Sequence, residues 1–196
     1  VSKIPNVEGI FKPHLNINVD QAVSSKECPL FVGRYLRSVQ NRESPQWLKN
    51  RLIGIGLNPI SALVDITNYL TFDRARPLHV FDADKLSGGL TVRRSVEGEK
   101  FHALDDKIYE LNEGMIVITD EKEIVSLGGI IGGMKSAVSD ETKNVLLEAA
   151  YFDPISIAAT GRKLQINSDA RYRFERGVDP SFTLSGSHIA TKMILD

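Results

Sequence analysis

The sequence predicts an α+β domain, a large and mostly antiparallel mixed sheet with helices packed around it. Three observations carry that prediction. Between Leu90 and Leu127, short apolar stretches alternate with turn residues. Ahead of that region, stretches with helical spacing follow Ser44-Pro45 and Asn58-Pro59. Behind it, an apolar run from Asn144 to Ala150 leads into Asp153-Pro154.

Residues 1–29 carry scattered prolines and polar residues and read as an irregular lead-in. Pro29 to Val39 is rich in strand formers. Ser44 as cap and Pro45 at the first helical position open a helix through Trp47, Leu48, Leu52 and Ile55, which Gly56 closes. Asn58-Pro59 repeats the opening signal. In the helix that follows, Ala62, Leu63, Ile66, Tyr69 and Leu70 share one face. Asp65 and Asn68 fall on the opposite side, and Thr67 sits at the edge of the apolar stripe. The stretches LTVRRS, KFHAL, KIYEL, MIVIT and EIVSL then succeed one another with turn residues between them, a spacing that predicts an antiparallel meander. Asn144 to Ala150 reads as a more buried strand, and Asp153-Pro154 starts a helix ending near Lys163. Asp179-Pro180 opens the last helix as cap and first-turn proline. That helix reaches Asp196 with no stop signal, and position 1 is Val, so a single domain excised from a longer chain is expected. Its parts are a lead-in over 1–29, a body over 30–185 and a truncated C-terminal helix over 186–196.

Composition narrows the function. Hydrophobic residues make up 42% of 196, enough for a buried core. The net charge of −1 gives no global positive field, so any RNA contact must come from a local patch. The lone Cys28 allows no internal disulfide and fits a reducing compartment. No apolar run of membrane-spanning length and no secretory leader are present, so a cytoplasmic location is expected and no membrane partner. The histidines at 14, 79, 102 and 188 show no ligand spacing, so no metal site is expected. No serine sits in a Gly-x-Ser-x-Gly elbow, and Cys28 has no evident histidine partner.

The stretch VSLGGIIGGM, Val125 to Met134, admits three readings. A phosphate loop fits poorly, because Met134 follows Gly133 where a Lys-Ser/Thr pair belongs, and the glycines come as adjacent pairs. A tight turn using positive φ is the plain account. Close passage of backbone beside a ligand is the third. His79, set among large apolar groups, reads first as a buried and satisfied histidine. Glu148 ends the run Val145-Leu146-Leu147. It is either a strand-end residue in solvent or an acceptor placed in a pocket. Between 162 and 176, Arg162, Lys163, Arg171, Arg173 and Arg176 are interleaved with Tyr172 and Phe174. Such a pattern can bind RNA. The plainer reading pairs the arginines with Asp169 and Glu175, buries both aromatics, and leaves Arg162 and Lys163 to the helix dipole.

Five segments in order then acquire a collective meaning: VDITNY at Val64–Tyr69, PLHVFDADKL at Pro77–Leu86, GGIIGG at Gly128–Gly133, NVLLE at Asn144–Glu148 and RFERGVDP at Arg173–Pro180. Together they resemble the tRNA-editing domain in the β subunit of bacterial phenylalanyl-tRNA synthetase, over roughly residues 30–185. That family hydrolyses tyrosine wrongly esterified to phenylalanine tRNA. The resemblance implies a tyrosyl pocket lined by Thr67, Asn68, His79, Gly132, Glu148, Ser168 and Ala170. Glu148 would accept from the tyrosine hydroxyl, and His79 would position the ester or its water, acting as a general base only second. Gly132 would let backbone approach the ligand, and Ala170 would leave room for the ring. Arg162, Lys163 and Arg171 would contact tRNA. Three positions depart from the family pattern: Ser168 for threonine, Ala75-Arg76 for Gly-Gln, and Arg171 for a small residue. The implied partners are phenylalanine tRNA and a synthetase α subunit in a heterotetramer. ATP and magnesium belong to the parent complex, with no cofactor in this domain. The competing readings are a structural or RNA-docking module without hydrolytic activity, and a free-standing deacylase acting in trans.

Overall fold

The computed structural model describes residues 4–196. The lead-in's first three residues lie outside the described residues. The rest of the lead-in carries two short elements, strand β1 (Ile17–Val19) and helix α1 (Gln21–Ser24).

The mixed α+β class is what the chain adopts, with its strands shared among three sheets. The largest combines β1, β4 (Leu90–Arg94), β7 (Ile116–Thr119), β8 (Ile124–Leu127) and β9 (Ile131–Gly132) in the order β1-β4-β7-β8-β9. Only β1 and β4 are parallel; the other pairs are antiparallel. The expected continuous meander is interrupted. Strands β5 (Lys100–His102) and β6 (Ile108–Glu110) leave the sheet as a hairpin of their own, and β4 pairs directly with β7. Alternating apolar residues support a hairpin in either place, so local pattern does not select the partner.

The third sheet sets β10 (Val145–Tyr151) between β2 (Leu30–Leu36) and β3 (His79–Asp82), both antiparallel to it. A central strand covered on both faces reads as a continuous apolar run, which is why VLLEAA looked buried. Its side chains alternate between two cores. Leu146 and Ala150 join Phe81 in the core that faces the five-stranded sheet. Val145 and Leu147 join Val80 in a second core. Leu48 and Leu52 of α2 (Gln46–Ile53) and Leu63, Ile66 and Leu70 of α3 (Ala62–Asp73) close that second core. Ala190 of α6 (Thr183–Leu195) also reaches it.

Cap side chains start helices at the expected Asp153 and Asp179, whereas the α2 start has no side-chain cap. Asp153 accepts from the Ser156 amide at 2.9 Å and starts α4 (Pro154–Lys163) as expected. Asp179 accepts from the Ser181 amide at 2.8 Å, opening a single 3-10 turn before α6. Ser44 is not a cap. It is buried and donates to Asp65 Oδ2 at 2.5 Å, and α2 begins after Pro45. Asp65, placed by periodicity on the polar side of its helix, is fully buried, because its other oxygen accepts from the Ile60 amide at 2.8 Å and folds the entry loop over it.

Candidate functional site

Strand register brings the central pair together. His79 of β3 lies directly opposite Glu148 of β10. Residues two apart share a face, so His79 stands with Phe81, and Glu148 with Leu146 and Ala150, on the side facing the five-stranded sheet. Gly132, on the edge strand β9 of that sheet, closes over them. A Cβ built there would lie 2.3 Å from His79 Cε1 and 2.7 Å from Nε2. The imidazole is held edge-on to Phe81, ring centroids 4.4 Å apart.

The glycine loop is a hairpin turn. Gly129 takes φ +67°. The loop amides are spent internally, with Gly128 N donating to Ile116 O, Ile130 N to Leu127 O and Gly133 N to Val125 O. No bundle of free amides remains there for a phosphate. Gly132 does serve close approach, but what approaches it is the protein's own imidazole.

Polar satisfaction singles out this region. Among the described residues, the buried side-chain nitrogens and oxygens without a hydrogen-bond partner are Glu148 Oε2, His79 Nε2, and Nε and Nη2 of Arg76. Such groups are rare in native folds and call for an explanation each time. Glu148 is 6% exposed, which decides between its two sequence readings in favour of the interior. His79 keeps part of its surface accessible while its Nε2 is buried, so it is not the satisfied histidine that burial alone suggests. Burial pushes the Glu148 carboxyl up to about 8, against a smaller opposing pull from Arg76. Burial pushes the His79 imidazole down to about 4, so it is neutral at neutral pH. Cys28 is buried too, and its thiol is pushed up to about 12 by burial and by Glu148. It stays protonated and is no nucleophile.

These shifts predict a stability profile of opposed sign. The Glu148 contribution is full below about 4.5, its ordinary value, and is lost as pH rises through about 8. The His79 contribution is full above about 6.5 and is lost as pH falls through about 4. Glu148→Gln removes the first of these. Thermal unfolding should show the variant gaining on the parent as pH rises, by at most about 1.4 kcal/mol per pH unit, and levelling off above about pH 8. Parallel curves would mean that Glu148 titrates like an exposed carboxyl.

The other expected pocket residues sit as follows. Ser168 Oγ donates to Ile130 O at 2.6 Å, pinning the glycine hairpin, and accepts from the Arg171 amide at 3.1 Å as cap of α5 (Asp169–Phe174). Ala170 packs against the first core. Thr67 Oγ1 is turned to its own helix, donating to Val64 O at 2.8 Å. Thr67 and Asn68 ride on α3, whose Leu63, Ile66 and Leu70 belong to the second core. Arg162 and Lys163 are exposed at the end of α4. Arg171 is committed internally, with Nε on Glu175 at 3.0 Å and Nη1 on Ile166 O at 2.6 Å. Phe174 is core, but Tyr172, expected to be core, is 56% exposed with the Arg176 guanidinium 3.6 Å from its ring centre. Arg76, buried with two unpartnered nitrogens, is a residue the sequence reading passed over, its departure from the family pattern being the one available signal.

A concavity of about 870 Å³ lies elsewhere, between α2, α3 and the end of α6, and is lined by Trp47, Leu63 and Met193 among others. It holds no unpartnered buried polar atom, so the chemistry points to the Glu148 region instead. Among the described residues no three of His, Cys, Asp or Glu stand together as metal ligands. No helix among them is long and apolar enough to cross a membrane.

The family model described as the B3/4 domain matches residues 27–196, which include the cross-strand Glu–His pair and the glycine hairpin over it. The chain belongs to the B3/4 domain family. It is 55% identical over 190 residues to the phenylalanine–tRNA ligase beta subunit of Cereibacter sphaeroides, covering 97% of this chain and 24% of that protein. The corresponding subunit of Paramagnetospirillum magneticum is 54% identical over 195 residues, covering 99% and 24%. The chain thus spans about a quarter of the length of the curated relatives it matches. An N-terminal fragment of the phenylalanyl-tRNA synthetase beta subunit from Pyrococcus horikoshii shares the fold, with TM-score 0.54 at 16% identity over 79% of this chain and 50% of that one.

Proposed function

We propose that this chain is the editing domain of a bacterial phenylalanine–tRNA ligase, hydrolysing the ester of tyrosine mischarged onto phenylalanine tRNA. The parent complex, with its α subunit, ATP and magnesium, attaches phenylalanine to that tRNA in the cytoplasm. One observation carries the reading: a buried carboxyl with an unpartnered oxygen, beside an unpartnered imidazole nitrogen, between apolar layers.

Tyrosine exceeds phenylalanine by one hydroxyl, and a synthetic pocket made for the smaller ring rejects the larger weakly. A second site built around a polar group inverts the preference, because a ring without a hydroxyl leaves that group unpaired. Glu148 supplies the acceptor. An aminoacyl ester is already labile, so holding it against a positioned water supplies much of the rate. His79, neutral and weakly basic, suits a positioning hydrogen bond better than proton abstraction.

The test is release of tyrosine from tyrosyl-tRNA by the complete ligase carrying this chain. Rapid release that stays slow for phenylalanyl-tRNA supports the reading, and hydrolysis by the added chain alone supports action in trans. Intact tRNA binding without release supports an RNA-docking module. The exposed Tyr172–Arg176 stack, with Arg162 and Lys163 exposed on α4, favours some RNA contact in either case.

A further inference from the structure

We propose that the outer side of α5 seats the terminal nucleoside of the charged tRNA, its base stacked on Tyr172; this rests on the editing reading above. A concavity of about 360 Å³ joins Ser168 to Tyr172 and is lined also by Asn167, Asp169, Arg171 and Glu175. Ser168 ties it to the site, since its Oγ donates to Ile130 O at 2.6 Å, two residues before Gly132 closes over His79. Tyr172, at the other end, is 56% exposed. The Arg176 guanidinium covers one face of the ring, 3.6 Å from its centre, and donates to the Tyr172 carbonyl at 2.9 Å. The ring is therefore held in place with surface to spare. The helix beneath it is fixed as well. Phe174 packs edge-on to Phe152 at 5.3 Å, and the Arg173 guanidinium lies 4.2 Å from the centre of the Phe72 ring.

An aminoacyl ester joins the amino acid to the ribose of the last nucleotide, so a nucleoside must lie beside any pocket that holds the amino acid. The chemistry of the concavity fits a nucleoside better than a phosphate. Arg171, the cation in its lining, spends Nε on Glu175 at 3.0 Å and Nη1 on Ile166 O at 2.6 Å. Asp169 and Glu175 repel a phosphate, and as carboxylates they accept from ribose hydroxyls and base amino groups. An aromatic ring backed by a guanidinium takes a base by stacking, whatever the base. The phosphates that precede the nucleoside meet exposed cations outside the concavity: Arg176 behind the ring, and Arg162 and Lys163 at the end of α4. Gly161 permits that placement. A Cβ there would overlap the Arg171 side chain, and its absence lets α4 lie against α5.

The experiment compares Tyr172→Ala, Tyr172→Phe and Tyr172→Trp in the complete ligase, by steady-state hydrolysis of tyrosyl-tRNA and phenylalanyl-tRNA. Stacking holds substrate and transition state alike, so the Ala variant should raise KM about tenfold for both esters with kcat little changed. The ratio of kcat/KM for tyrosyl over phenylalanyl esters should stay at the parent value, because both carry the same nucleoside. The Phe and Trp variants keep a ring and should hold KM within about twofold of the parent. An unchanged KM in Tyr172→Ala overturns the proposal. A Phe variant that falls as far as Ala also overturns it, because the hydroxyl and not the ring is then at work. Loss of the α subunit from the Ala variant on gel filtration, with KM unchanged per assembled ligase, makes Tyr172 a protein contact and sinks the proposal too. A second measurement needs no turnover. A tRNA that carries tyrosine through an amide and ends in azidoadenosine, irradiated on the parent ligase, should attach to a peptide from residues 167–176. Attachment confined to other segments counts against the seat. Parent hydrolysis that is indifferent to Tyr172 removes this inference and leaves the editing function standing. A cross-link on α5 without parent hydrolysis removes the editing reading and leaves the nucleoside seat.

Discussion

Gly132→Ala is expected to lower tyrosyl-tRNA hydrolysis about a hundredfold and to cost about 1–3 kcal/mol of stability, through one added methyl group. The new Cβ would sit 2.3 Å from His79 Cε1, with Leu104 Cδ1 at 3.0 Å on another side. Neither backbone can give way cheaply. Gly132 O accepts from the Leu104 amide at 2.9 Å, and its strand is laddered to β8. His79 is fixed in register opposite Glu148. The imidazole must therefore swing, and Phe81 at 4.4 Å blocks one direction. A catalytic group displaced by about 1 Å loses roughly two orders of magnitude in rate. Two measurements check this: single-turnover hydrolysis, and thermal unfolding of Gly132→Ala alone and with His79→Ala. The double variant should regain stability, since the clash needs both partners, but not activity. Full hydrolysis by Gly132→Ala would detach His79 from the chemistry.

That coupling could not be read from the sequence. Periodicity located β3 and β10 as strands, but register across distant segments depends on the whole sheet. Without register, His79 looked like a satisfied core histidine and Glu148 remained open between solvent and interior. The roles proposed for them came from the resemblance. Local chemistry was legible where a side chain acts on its own neighbourhood, as at the Asp153 and Asp179 caps. It misled where a polar group is buried by long-range contacts. Asp65 satisfies itself on Ser44 and the Ile60 amide, so a helix-wheel position says nothing of its exposure. Arg76 is the extreme case. Nothing in Arg76-Pro77-Leu78 distinguishes a guanidinium in water from one buried with idle donors, because burial is conferred by α6 and by Thr183 in particular. Tyr172 and Phe174 make the same point in one short helix, the first exposed and the second core.

Glu148→Ala should reduce the preference for tyrosyl over phenylalanyl esters by about ten- to a hundredfold, while both esters still enter the site. The loss falls on the tyrosyl ester, which forfeits its acceptor. The phenylalanyl ester should be hydrolysed as well as before or better, since it no longer strands a buried polar group. A general collapse of the site would depress both together, so the ratio separates recognition from damage. Glu148→Gln refines the assignment. Burial holds the carboxyl protonated up to about pH 8. A protonated acid still accepts at its carbonyl oxygen, and glutamine offers the same oxygen in nearly the same volume. Gln at 148 should therefore keep much of the selectivity that Ala loses. If Gln falls as far as Ala, recognition requires the ionised form of Glu148.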